Sequence, residues 1–168
     1  EIRADTSSPL TLNQFDSLTN SGTLACTTTT ATLNVASIPF TNTGLVRCDA
    51  GTIYINPNND KISNNTGGTI RTTSSTATIN YGGTMTTAQL GLLDNTAGGI
   101  LRLAGVIDNT SATLNINAST SNLILSGTIN GGTIQPSGSN YLRFQGTLGA
   151  TPGLLENNAI YNGDLFLD

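Results

Sequence analysis

The chain contains two cysteines, and their spacing predicts a crosslink. Cys26 and Cys48 end two nine-residue segments, 18–26 and 40–48, which align without gaps. If these segments form neighbouring parallel strands, the two Cα atoms lie about 4.8 Å apart, a separation that a disulfide accepts. The sequence therefore predicts a disulfide between Cys26 and Cys48. Free buried thiols and links between chains are the alternatives.

Two aspartates in similar local sequences are candidates for glycosidic-bond cleavage or metal binding. Asp94 and Asp108 each open an Asp-Asn-Thr triplet. Carboxylates clustered on one face can cleave glycosidic bonds or hold a metal ion. An aspartate in such a triplet can also cap a turn through its side-chain oxygen. The turn interpretation is favoured for both residues.

Residues 56–60 place side-chain oxygens at alternating positions, as a calcium loop does, but they lack its glycine and its distant glutamate. A solvated loop is therefore predicted. The chain has no histidine, so the usual general base and the usual zinc ligand are both missing. A cysteine nucleophile would also lack its usual activating partner. No catalytic, cofactor or metal site is predicted, and the protein is predicted not to be an enzyme.

Composition excludes further classes of function. The 168 residues fit one domain, and they include six basic and ten acidic residues with a net charge of −4. This charge argues against a nucleic-acid partner. No apolar run approaches the length of about 18 residues that a membrane helix needs, so membrane insertion is not predicted. A start at Glu1 and a single lysine, Lys61, favour an exported protein at the cell surface or outside the cell.

The local patterns predict short strands. Thr and Asn are abundant, whereas the best helix-forming residues are scarce. Apolar residues alternate with polar ones over short runs, as at Leu33/Val35 and Ile53/Ile55, and Gly or Asn separates these runs. The chain is therefore predicted to be all-β.

The strands recur at an irregular period that centres near twenty. A motif of one small residue, usually Thr, followed by apolar–any–apolar starts at Ala31, Gly51, Ala77, Gly99 and Ala112, and the next copy begins at position 132. Such a period favours a right-handed parallel β-solenoid of about seven irregular coils, with one core continuous along the axis. A β-sandwich or jelly roll is the alternative, because it also combines short strands with Gly/Asn turns.

The phrases at residues 18–24, 40–46 and 51–55 resemble repeats of bacterial surface β-helix proteins, namely filamentous-haemagglutinin-like adhesins and autotransporter passengers. The β-helices of phage tail spikes and tail fibres contain repeats of similar sequence. The resemblance covers residues 18–134 and implies a β-helix architecture. A short length, an irregular period and a cysteine pair distinguish this chain from the adhesins.

Two further features suggest surface chemistry. Acceptor sequons for glycosylation begin at Asn64, Asn109 and Asn117, a number expected by chance in a chain this rich in Asn and Thr. Threonine clusters at 27–30, 72–73 and 86–87 suggest an ice-binding face. These clusters are out of register with the repeat, so ice binding is only a distant alternative.

The two ends differ from the middle in composition. A single domain, 1–168, is predicted to comprise an N-terminal arm or cap (1–15), a repeat body (16–150) and a strand-like C-terminal tail (151–168). The apolar tail or the arm at 1–15 is predicted to form a subunit contact, and the alternative is that either segment folds back as a cap. The apolar residues of the tail are Leu154, Leu155, Ile160, Tyr161, Leu165, Phe166 and Leu167.

These observations together predict a non-enzymatic extracellular structural or surface protein. It would build a fibre by self-association or present an adhesive face, with surface glycans as the candidate ligand. A virion component, such as a tail fibre, spike or decoration protein, is the alternative. A polysaccharide-active enzyme is a more distant one.

Overall fold

The computed structural model describes residues 1–56, 58–121, 123–145, 153–164 and 166–167, the last two by their backbone alone. It contains 23 short strands and a single-turn 3₁₀ helix at Thr87–Leu90. Among the described residues, no helix is long and apolar enough to cross a membrane.

In chain order the strands are β1 (Ile2–Ala4), β2 (Leu10–Leu12), β3 (Leu18–Asn20), β4 (Thr23–Cys26), β5 (Thr32–Val35), β6 (Phe40–Asn42), β7 (Leu45–Cys48), β8 (Gly51–Ile55), β9 (Ser63–Asn64), β10 (Thr69–Thr72), β11 (Ala77–Tyr81), β12 (Thr84–Thr86), β13 (Leu92–Asp94), β14 (Ile100–Leu103), β15 (Val106–Asp108), β16 (Thr113–Ile116), β17 (Leu123–Leu125), β18 (Thr128–Asn130), β19 (Thr133–Pro136), β20 (Leu142–Phe144), β21 (Leu154–Glu156), β22 (Ile160–Tyr161) and β23 (Phe166–Leu167).

The strands stack as a parallel β-solenoid of about seven coils, in which paired strands lie three places apart along the chain. Each coil therefore has three sides. Side 1 contains β1, β4, β7, β10 and β13 and continues with β16, β19 and β22. Side 2 is an unbroken eight-stranded sheet from β2 to β23. Side 3 contains β3, β6 and β9 and continues with β12, β15, β18 and β21.

The solenoid prediction is confirmed, because all strand pairs between described residues are parallel, whereas the alternative β-sandwich is built from antiparallel sheets. The register also follows the sequence repeat: the ladder pairs Leu18 with Phe40 and Cys26 with Cys48.

Side 2 supplies the largest share of the core. Its inward positions form two stacks of apolar side chains that run along the axis, and twelve of these side chains, from β5 to β20, are buried. One stack contains Leu33, Ile53, Ile79, Leu101, Leu123 and Leu142; the other contains Val35, Ile55, Tyr81, Leu103, Leu125 and Phe144. Burial of such side chains is the main favourable term for a repeat architecture, because no single coil can bury them alone.

Buried asparagines connect the coils between sides 3 and 1. The Asn20 Nδ2 donates to Asn42 Oδ1 at 2.7 Å, and the Asn42 Nδ2 donates to Asn65 Oδ1 at 2.6 Å. Asn42 and Asn65 are fully buried. Since buried polar groups must be hydrogen-bonded, this row of amides fixes the stacking of three coils.

Glycine is required where the chain turns tightly against the coil below. Gly51 begins β8 with φ at +78°, and a Cβ there would collide with the carbonyl oxygens of Thr28 and Ala31. This left-handed corner explains part of the glycine content that the sequence shows.

Copies of the sequence motif lie on two different sides. The motif copies that start at positions 31, 51, 77 and 99 stack in register on side 2, as the repeat predicts. The copy that contains Leu114 instead forms β16 on side 1 and pairs with the copy that contains Ile134. The short interval between the starts at positions 99 and 112 arises because these two copies lie on different sides.

Both terminal segments belong to the coils. The predicted arm or cap, 1–15, contains β1 and β2, which pair with β4 and β5 to form the first coil. The predicted tail contains β21, β22 and β23, which pair with β18, β19 and β20.

Candidate functional surfaces

The two cysteines lie side by side, but the predicted disulfide is not formed. Both are buried free thiols. The Cys26 Sγ donates to the carbonyl oxygen of Ala31 at 3.3 Å, and the Cys48 Sγ donates to that of Gly51 at 3.4 Å. In-register parallel strands hold paired side chains about 4.8 Å apart, whereas a disulfide needs Cβ atoms about 3.8 Å apart. Burial also raises the pKa of the Cys48 thiol to about 12, which suppresses the thiolate.

The two aspartates lie on different sides of the solenoid and act in turns. Asp94 is the last residue of β13 on side 1, where its Oδ1 accepts from the Thr96 backbone at 3.2 Å and its Oδ2 pairs with Arg71 at 2.7 Å. Burial raises the pKa of the Asp94 carboxyl, but the Thr96 hydrogen bonds and the Arg71 charge outweigh this and lower it. On side 3, Asp108 accepts from the Thr110 backbone at 3.0 Å, and hydrogen bonds from Thr110 lower its pKa. The predicted turn role is confirmed for both residues.

Within residues 56–60, Asn58 and Asp60 are exposed, whereas the Asn59 side chain contacts the next two coils. The Asn59 Oδ1 accepts from the Gly83 backbone at 2.7 Å, and its Nδ2 donates to the carbonyl oxygen of Ala104 at 2.8 Å. Both polar atoms of this amide are therefore occupied. Pro57 lies outside the described residues. Elsewhere in the described chain, no group of three or more His, Cys, Asp or Glu side chains could hold a metal ion.

The threonine clusters do not form one face. Thr72 is buried and donates to the Asn95 side chain, whereas Thr86 caps the 3₁₀ helix through its hydroxyl. A separate row of three threonines, in β5, β8 and β11, does lie in register on the outer face of side 2. The ice-binding hypothesis depends on the clusters, so this separate row gives it no added support.

The three sequon asparagines differ in exposure. Asn117 is exposed and Asn64 is half-buried. Asn109 is fully buried, with its Nδ2 donating to Gly131 at 3.1 Å and its Oδ1 accepting from Thr87 at 2.6 Å. The folded chain therefore does not present the Asn109 side chain for glycosylation.

The predicted subunit-contact residues divide into two groups. Leu154 and Ile160 face outwards and are 40% and 60% exposed. Leu155 and Tyr161 are half-buried and pack against the core. Leu165 lies outside the described residues, and the side chains of β23 are not described.

A cleft that sequence reasoning missed lies between the turns that follow β19 and β22. It has a volume of about 380 Å³, and its lining includes Asn140, Tyr141, Tyr161 and Asp164. The Tyr161 ring is fixed, because its hydroxyl accepts from the Leu142 backbone at 3.2 Å and its ring meets that of Phe144 edge-on, with centroids 6.0 Å apart.

The chemistry of this cleft suits a sugar. Aromatic rings pack against the C–H face of a pyranose, while carboxylate and amide oxygens accept hydrogen bonds from its hydroxyl groups. Two of the four tyrosines in the chain meet here. The one signal in the sequence is the spacing of Tyr141 and Tyr161, which is close to the length of one coil.

The outer face of side 2 carries a fixed arginine. The Arg102 Nη1 donates to Asn80 Oδ1 at 2.6 Å, and its Nε donates to Gln145 Oε1 at 2.7 Å. Burial lowers the pKa of Arg102, and the positive charge of Arg143 lowers it further. The guanidinium is thus held in place by two neutral amides.

Comparisons with known proteins found no match. No family model, no curated protein and no solved structure matches this chain. The resemblance to surface β-helix repeats is therefore supported for the solenoid architecture alone, and function must be argued from the side chains.

Proposed function

We propose that this chain is a non-enzymatic extracellular surface protein whose solenoid presents an adhesive, glycan-binding cleft. The observation that carries the proposal is the cleft of Tyr141, Tyr161 and Asp164. Rigid stacked coils suit this task, because a site held on packed strands loses little conformational entropy when it binds.

The surface composition supports a location outside the cell. Polar uncharged residues dominate the outward positions, and the chain has a single lysine. The proposed partners are surface glycans, with no nucleic acid and no membrane insertion. The alternative is that the chain is a virion component, in which case the cleft would bind glycans in the same way.

Substitution of Tyr141 by alanine tests the cleft. We expect Tyr141→Ala to weaken binding at least tenfold, because an aromatic platform contributes on the order of 1.4 kcal/mol or more to a sugar complex. The measurement is binding of the purified chain to an array of neutral and acidic oligosaccharides, followed by calorimetry with the best ligand. Asp164→Asn should weaken the binding of the same ligand, because it removes a charged hydrogen-bond acceptor.

Phe15→Ala is the matched control, because Phe15 is an aromatic residue of the first coil and is 55% exposed. It should leave binding unchanged. Absence of any bound oligosaccharide, or equal binding by Tyr141→Ala and the unmodified chain, would refute glycan binding at this cleft.

Self-association is a second proposed function, favoured by the exposed apolar residues of the last coil. Leu154 lies on side 3 and Ile160 on side 1, so two sides of this coil present large apolar side chains. Exposed apolar surface of this kind favours a subunit contact.

We expect the chain to form an oligomer or filament that Ile160→Asp shifts to monomers. Light scattering and negative-stain microscopy are the measurements. Ile62→Asp is the control, since Ile62 is 57% exposed but lies near the middle of the solenoid. Filaments would support a fibre, a closed trimer would support the virion alternative, and a monomer at high concentration would exclude self-association.

A further inference from the structure

The charge of Arg102 differs from the charges of Arg3, Arg47 and Arg71, because no described carboxylate compensates it. Arg3 pairs with Asp5 at 2.9 Å, and Arg47 pairs with Asp49 at 3.0 Å. Arg71 pairs with Asp94, as described above. Among the described residues no carboxylate lies within ion-pair distance of Arg102, and its two side-chain partners are neutral amides. A positive charge therefore stands on side 2 of a chain whose net charge is negative.

These two hydrogen bonds leave N–H donors on Nη1 and Nη2 of the Arg102 guanidinium available to a ligand. An arginine has five N–H donors, of which two are used by Asn80 and Gln145. The remaining donors are one on Nη1 and both on Nη2. These two nitrogens form the fork that binds the two oxygens of a carboxylate side by side.

The Arg102 guanidinium is also preorganised for binding an anion. The two amides fix the orientation of the guanidinium, so little side-chain entropy remains to be lost on binding. Arg143 occupies the same outward row two strands further on, and its charge adds to the positive potential at Arg102.

The outer face of side 2 connects this arginine to the tyrosine cleft. Tyr141 lines the cleft, and Arg143 and Gln145 follow it at alternate positions of the same extended segment. Alternate residues of a strand share one face, and four residues of strand span about 13 Å. An oligosaccharide that starts in the cleft can therefore reach Arg102 along this face.

We propose that the glycan bound by this chain is acidic, and that a uronic-acid carboxylate docks on the Nη1–Nη2 fork of Arg102. This inference rests on the proposed glycan-binding function and assigns the ligand class. The carboxylate receives two charge-assisted hydrogen bonds, while the uncharged sugar ring occupies the cleft.

The test compares a galacturonate oligosaccharide with the neutral galactose oligosaccharide of equal length. The unmodified chain should bind the acidic ligand at least tenfold more tightly, and added salt should reduce this preference. Arg102→Gln should abolish the preference, so that the acidic and the neutral ligand bind with equal affinity. Arg102→Lys should keep part of it, because lysine retains the charge but lacks the fork.

Arg71→Gln is the matched control, since it removes a guanidinium from side 1, and it should leave the preference unchanged. Equal affinity of the unmodified chain for the two ligands, or a preference that persists in Arg102→Gln, would overturn this inference while leaving glycan binding standing. Absence of binding to both ligands would instead overturn the proposed function and the inference with it. Circular dichroism of each variant checks that the solenoid remains folded.

Discussion

Replacement of Tyr81 by alanine should lower the free energy of unfolding by about 4 kcal/mol, within the range for removing a large buried aromatic side chain. Tyr81 is fully buried, and it stacks between Ile55 of the preceding coil and Leu103 of the following one. The backbone ladders on both sides hold these neighbours in place. The cavity therefore cannot collapse, and the full cost of the lost contacts remains.

Urea denaturation followed by circular dichroism measures this effect. Tyr54→Ala is the matched control, because Tyr54 is the same residue type on the same sheet but faces outwards and is 36% exposed. It should cost no more than about 1 kcal/mol. Similar losses for the two variants would contradict the assignment of Tyr81 to the core stack.

A third variant separates packing from hydrogen bonding. The Tyr81 hydroxyl donates to the carbonyl oxygen of Gln89 over a long 3.4 Å, and burial raises the pKa of this phenol, so it stays neutral. Tyr81→Phe keeps the ring and loses that one weak bond. We expect it to cost about 1 kcal/mol or less, well below the alanine variant.

The repeat of residues 18–26 and 40–48 favours the solenoid and predicts the register of these two segments correctly. In a parallel solenoid each residue lies above its counterpart in the preceding coil. Residues that align in a gapless sequence match are therefore also the residues that pair between adjacent strands. The cysteine pair shows the limit of this argument. The match places Cys26 beside Cys48 correctly, but the ladder that aligns the two residues also holds their Cβ atoms too far apart for a disulfide.

The three sides of a coil are harder to assign from sequence. Each side alternates inward and outward residues in the same way, so an apolar–any–apolar motif does not reveal the side to which it belongs. For this reason the motif alone does not show that the copy at Leu114 lies on side 1. Only the lengths of the corners distinguish the sides, and these lengths vary from coil to coil.

The candidate sites could not be predicted from local sequence patterns, because their residues are far apart in the chain. Arg102 contacts Gln145 across 43 residues, and the cleft joins Tyr141 to Asp164 across a corner. Neither set forms a motif in the sequence. Both depend on the number of residues in the intervening coils, which sets the stacking partners of each outward side chain.

The buried asparagine row provides the second large effect on stability. Asn42→Ala should lower the free energy of unfolding by about 3 kcal/mol. The substitution removes the acceptor of the Asn20 amide and the donor to the Asn65 amide, and each buried polar group left without a partner costs about 1–3 kcal/mol. Asn34→Ala is the control, because Asn34 points outwards and makes one long bond of 3.5 Å to Thr11. Urea denaturation should show a loss within about 0.5 kcal/mol for the control.

A change of Asn42 to aspartate adds a dependence on pH that alanine lacks. The new carboxylate could still accept from Asn20, but it would face the Asn65 oxygen with no proton to donate. Burial and this contact both favour the neutral acid, so the pKa in the folded state should rise above the unfolded value of about 3.9. A raised folded-state pKa makes the variant most stable below about pH 3.9, where the protonated carboxyl can donate to Asn65, and stability is lost as the pH rises through the folded pKa. Urea denaturation of Asn42→Asp and Asn42→Ala, each at low and neutral pH, measures the difference. A variant pair with the same pH dependence would show that the Asn42 side chain does not donate to Asn65.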